Sequence, residues 1–166
     1  MADLEKYKDG YQEINNLIKN IPESIIEFIP AYENAWSIKE HIIHLVDSET
    51  NGLIRLKSII AQPGSECYVM DEESWTKNIR RKKEDINKYM QLYKSIREIA
   101  YDFIKDEAKE NWNTQYFIRT YQGKTIKITI ENWIDLYNNH LAFHIDYINR
   151  IIDSSKKEKS LTTAST

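Results

Sequence analysis

A single cysteine, Cys67, stands in a chain of 166 residues. It excludes an internal disulfide framework and any thiolate-rich zinc site, and it predicts a reducing, cytoplasmic setting. Glycine and proline are nearly as scarce, at 4 and 3 residues, too few to punctuate the many turns of an all-β sandwich or barrel. No uncharged apolar run approaches the ~18 residues of a membrane span, so no membrane partner is expected. The opening MADLEKYKDG carries acidic residues and no apolar stretch, unlike a signal peptide. A basic excess is missing too: 23 Lys and Arg against 26 Asp and Glu leave a net charge of −3, which argues against nucleic acid as a partner. What is present is an ordinary soluble composition, 41% apolar and 30% charged, of a length that suits one domain. Its four histidines are His41, His44, His140 and His144.

Apolar spacing predicts an all-α chain with four long helices. Asp3 to Lys19 places Leu4, Tyr7, Tyr11, Ile14 and Leu17/Ile18 at helical steps. Pro22 and Pro30 then bracket a short apolar stretch over 24–29. Ser37 and Glu40 have the spacing of a capping box, so a second helix should start there and run to about Ala61, before Pro63-Gly64. Its seam, Ile38, Ile42, Leu45, Gly52, Leu56 and Ile59, is interrupted by Glu49, and a carboxylate in such a position requires a partner. From Pro63 to about Lys83 the chain has no clear period, long for a hairpin but suited to a crossover along a bundle. A third helix is predicted from about Glu84 to Asp106, with Ile86, Met90, Tyr93, Ile96/Arg97, Ala100 and Phe103/Ile104 on its inner face. Two β-branched and aromatic runs over 115–128, either side of Gln122-Gly123, predict a small hairpin. The fourth helix should run from about Thr129 to Asp153 along Ile130, Ile134, Tyr137, Leu141, His144, Ile148 and Ile151, a seam that contains a histidine. Residues 1–153 are thus expected to form one domain and 154–166 a flexible polar tail.

His140 and His144 are four residues apart, which stacks two imidazoles on one helix face where both can meet one ion. An HxxxH pair alone is weak evidence for a metal. All four histidines, however, lie on two helices, and helices in a bundle pack about 8–10 Å apart, close enough for a second-helix histidine to complete a three-imidazole set. His44, beside Leu45 in the seam, is the better third ligand; His41, nearer the helix start, is the alternative and would line the pocket mouth. Asp47 and Glu49, and with them Glu40, could orient a ligand ring by accepting its far N–H. For Glu40, helix capping competes with that role. Three neutral imidazoles leave an open coordination position, the pattern of a catalytic site. Other chemistry is excluded by motif: there is no HExxH, no Glu-x-x-His pair of a di-iron bundle, no G-x-S-x-G elbow and no phosphate-binding glycine loop.

Trp36-Ser37-x-x-Glu40-His41-x-x-His44-Leu45-x-Asp47-Ser48-Glu49, Gly123-Lys124-Thr125 and Asn139-His140-x-x-x-His144-Ile145 occur in that order. Together they resemble the DinB/YfiT-like superfamily of metalloenzymes over about residues 3–153. The resemblance implies a four-helix bundle of up-down-down-up topology, with a long crossover between helices two and three and a small β-hairpin before helix four. It implies His44, His140 and His144 as ligands of a divalent metal, zinc or nickel first, with iron, cobalt or manganese as alternatives. His41 falls where the family often has an apolar residue. Characterised relatives activate a low-molecular-weight thiol of the bacillithiol type at the metal and transfer it to an electrophile, which makes a thiol S-transferase acting on a small molecule the leading expectation. A hydrolase with a metal-bound water and Glu49 or Asp47 as base, and a non-catalytic metal-binding or stress-response bundle, are the alternatives. The resemblance also raises a homodimer through a bundle face.

Overall fold

The computed structural model describes residues 2–32, 35–67, 71, 74–75, 84–121 and 123–163. Most of the aperiodic segment before Lys83 and the Gln122 of the hairpin turn therefore lie outside the described residues.

Each long helix begins where a side chain satisfies the first free amides. Helix α1 (Leu4–Ile18) is capped by Asp3, which accepts from the Lys6 amide. Pro22 opens a single further turn, α2 (Glu23–Ile26). Helix α3 (Ile38–Ala61) starts with the predicted capping box, in which Ser37 accepts from the Glu40 amide while Glu40 accepts from the Ser37 amide. Helix α4 (Ile86–Asp106) is capped by Asp85, and the Lys109–Trp112 3-10 turn follows it. Strands β1 (Tyr116–Tyr121) and β2 (Lys124–Thr129) pair antiparallel, with Phe117 opposite Ile128. Their turn uses Gly123 at φ 74°, a left-handed conformation that glycine adopts without strain. Helix α5 (Ile130–Thr163) starts with a reciprocal pair between Thr129 and Asn132.

Two features differ from expectation. The last helix continues ten residues past Asp153, to Thr163, because 154–163 contains neither glycine nor proline and is rich in Lys and Ser that a helix tolerates. Residues 64–67 also join the hairpin. The Gly64 and Cys67 amides donate to the carbonyls of Tyr116 and Ile118, and the Ile118 amide donates to Ser65, a short parallel contact that no periodicity announces.

Packing defines the helix directions. Helix α1 packs on α4 and α5, and α3 packs on the same two, so α1 and α3 are diagonal across the bundle. One half of the core joins Ile14 and Ile18 from the end of α1 with Ile38, Ile42 and Leu45 from the start of α3, Met90 and Tyr93 from the start of α4, and Ile148 and Ile151 from farther along α5. The other half joins Tyr7, Leu56, Ile59, Ala100, Ile104, Ile130 and Trp133. Helices α3 and α4 therefore run parallel to each other and opposite to α1 and α5, the up-down-down-up order. Two consecutive parallel helices require the long connection between Ala61 and Ile86.

A buried ion pair spans the middle of the bundle. Glu49 on α3 accepts two hydrogen bonds from Arg97 on α4, at 3.0 and 2.7 Å, and one from the Tyr7 hydroxyl on α1 at 2.8 Å. Arg97 also donates to the Tyr7 carbonyl. Both charged side chains are only 1% exposed, so three helices share one enclosed polar network. Burial pushes the Glu49 carboxyl up against the opposing pull of Arg97, while Glu49 overcomes burial to hold Arg97 in its charged form.

Candidate metal centre

The capping box places His41 and His44 on the first two turns of α3, and the seam of α5 turns His140 and His144 towards them. His44, His140 and His144 each present a ring nitrogen within 4.8 Å of the other two. The Nε2 atom of His140 lies 3.2 Å from that of His44 and 3.0 Å from that of His144. A cation holding nitrogens at about 2.0–2.1 Å would separate them by about 2.9 Å in an octahedral arrangement and about 3.3 Å in a tetrahedral one. The observed spacings fall between these limits, and the donor set fits a divalent cation.

Burial keeps His41, His140 and His144 neutral, with their lone pairs available. It pulls His140 down to about 4, with the Arg97 charge acting in the same direction. It pulls His144 down to about 2, helped by His140, His44 and His41. His41 is likewise lowered by burial to about 4, against a small opposing effect of Glu40.

The histidines open onto a cavity of about 350 Å³. Its remaining walls are Tyr32, Trp36, Phe143 and Tyr147. Trp36, just before α3, covers three imidazoles, with ring centroids 5.3 Å from His41, 5.1 Å from His44 and 6.4 Å from His144. Phe143 packs edge-on against His144, and Tyr147 lies against His41. No Asp, Glu, Lys or Arg is among the described lining residues.

The other sequence candidates sit elsewhere. His41 is buried beside His144 but outside the three-nitrogen set. Glu40 is occupied by the capping box. Glu49 turns its carboxylate to Arg97 and Tyr7 and orients no histidine. Asp47 is half-buried and does not line the cavity. The aromatic walls were not individually predicted, although Phe143 and Tyr147 follow His140 at three and seven residues and so share its helix face. Tyr32 belongs to the irregular segment before α3, where spacing carries no such signal.

An antiparallel and parallel mixture of four long helices with three imidazoles facing one point defines a helical-bundle protein with a candidate metal centre. The chain belongs to the DinB superfamily, whose family model matches residues 6–148. It is 29% identical over 125 residues to a protein of Halalkalibacterium halodurans, named "Putative metal-dependent hydrolase BH0277", covering 75% of this chain and 70% of that one. Its fold is similar to that of YfiT from Bacillus subtilis, described as "a probable metal-dependent hydrolase with an unusual four-helix bundle topology". That likeness has a TM-score of 0.79 at 19% identity and covers 89% of this chain and 82% of the other. Among the described residues no helix is long and apolar enough to cross a membrane.

Proposed function

We propose that this protein is a metal-dependent enzyme that transfers a low-molecular-weight thiol to an uncharged, planar electrophile. The observation that carries the reading is the convergence of the His44, His140 and His144 nitrogens at the floor of an aromatic cavity. His44, His140 and His144 would hold a divalent cation, which would supply Lewis acidity to lower the pKa of a thiol or water. Tyr32, Trp36, Phe143 and Tyr147 offer ring faces to a flat apolar body and exclude water around it. Sulfur then bonds to the electrophilic carbon as the leaving group departs with its electron pair, and the thiol proton goes to solvent. The thiol comes with a cofactor, since Cys67 packs against the opposite half of the core.

Hydrolysis is the second reading, favoured by the names of the two relatives. In its Glu49-assisted form it loses support from the ion pair that occupies that carboxylate. The two readings separate in one assay of zinc- or nickel-loaded protein, with bacillithiol and other small thiols, monochlorobimane as electrophile, and a panel of ester and amide substrates. Transfer predicts thiol-dependent conjugation that disappears in the His44→Ala/His140→Ala/His144→Ala variant. Conjugation no faster than in that variant, across all thiols, overturns it, and thiol-independent turnover of an ester or amide establishes hydrolysis instead.

A further inference from the structure

We propose that His41 is a positioning residue of the metal centre: its Nδ1 accepts the Nδ1–H of His144 and so holds His144 in the tautomer that presents Nε2 to the cation. The proposal rests on the reading of His44, His140 and His144 as ligands. The two Nδ1 atoms are 2.8 Å apart, in rings that are 5% and 3% exposed. At that distance one hydrogen must lie between them, because two lone pairs or two N–H groups would repel. The other nitrogen of His144, Nε2, is the one 3.0 Å from His140 Nε2. A neutral imidazole that gives Nε2 to a cation carries its hydrogen on Nδ1, so His144 is the donor and His41 the acceptor. The single hydrogen of neutral His41 is then on its own Nε2.

His41 is well placed to act as a fixed acceptor. Its backbone amide closes the first turn of α3 on the Ser37 carbonyl at 3.1 Å. Trp36 and Tyr147 bracket its ring, with centroids 5.3 and 5.7 Å away. A contact from α3 thus sets the ring orientation of a ligand on α5, a role carboxylates or backbone carbonyls usually fill for metal-bound histidines.

The test compares His41→Phe, which keeps a ring but no acceptor, with His41→Asn, whose side-chain oxygen can stand near the Nδ1 position. Zinc affinity is measured by competition with a chromophoric chelator. His41→Phe should weaken zinc binding by about 10–100-fold, the range for loss of such a partner, and His41→Asn should regain most of it, both measured at a temperature where the metal-free variant is folded. Nitrogen-15 histidine spectra of zinc-loaded wild type should show His41 protonated on Nε2 and unprotonated on Nδ1. Wild-type affinity in His41→Phe, or a proton on His41 Nδ1 in the loaded protein, overturns the proposal. If His41→Phe does not fold, the wild-type spectrum decides. Failure of the wild type to bind zinc, nickel, cobalt or manganese would instead remove the ligand reading beneath it.

Discussion

Glu49 shows how a single residue can be half legible in sequence. Its place in an apolar seam announces a buried carboxylate that must have a partner, but Arg97 is 48 residues away on another helix and nothing in local spacing pairs them. Removing one member of such a pair leaves an uncompensated buried charge, at a cost of about 3–5 kcal/mol. Arg97→Met should therefore lower the free energy of urea unfolding by about that amount, and adding Glu49→Leu should recover much of the loss. The histidines were more legible, since ligand type and helical spacing limit the choices. Their tautomers were not, because these depend on contacts across 103 residues of chain, such as His41 with His144. Protonation gives a second prediction at this scale. In the metal-free protein His140 and His41 titrate at about 4 and His144 at about 2, against about 6.5 in an unfolded chain. Between about pH 6.5 and 4 the unfolded state binds protons that the folded state refuses, so their stability contribution is complete above that window and is lost as pH falls. Unfolding midpoints in chelator should drop from pH 7.5 to pH 5, and His144→Leu should flatten the slope.

Among the elements, the start of α3 was the most legible, because Ser37 and Glu40 announce a capping box by residue type and spacing; Asp3 and Asp85 also cap their helices, although neither was singled out as a cap in the sequence. Interhelical distance is written less openly, in the small residues. Gly52 on α3 faces the Tyr137 ring of α5, so closely that a Cβ would run into the ring. The same neighbourhood is tied by the Trp133 indole donating to the Gly52 carbonyl at 3.0 Å and the Tyr137 hydroxyl donating to the Ser48 carbonyl at 3.3 Å. Gly52→Ala should cost about 1–3 kcal/mol by overpacking, despite the better helix propensity of alanine. Calorimetry should show the loss, and Tyr137→Leu in the same chain should relieve part of it. The continuation of α5 to Thr163 was missed for a complementary reason: a polar composition reads as tail, whereas a helix already nucleated by packing needs only the absence of breakers to extend.

At the scale of the molecule, the long aperiodic segment suited a crossover, but parallel α3 and α4 were expected only from the family resemblance, and it is the packing of the four helices that establishes them. The pairing of 64–67 with β1 was not legible, being made by backbone groups that every residue possesses. Because the three proposed ligands come from α3 and α5, a bound cation should stabilise the bundle as a whole. Zinc at a hundred times its dissociation constant adds about 2.7 kcal/mol, which for a chain of this size corresponds to a rise in Tm of about 5–10 °C. Differential scanning fluorimetry should show that rise, its reversal by EDTA and its absence in the triple histidine-to-alanine variant. The separation of the ligands also fixes an order of events. His140 and His144 are neighbours in any conformation with a helical turn, but His44 is 96 residues from His140, and closing so long a loop costs an unfolded chain about 4 kcal/mol. The third proposed ligand joins the other two only when α3 docks on α5, so the cation is expected to bind late in folding, after the transition state. Stopped-flow refolding should run at the same rate with and without zinc, while unfolding slows in its presence; faster refolding with zinc would mean that the site assembles first.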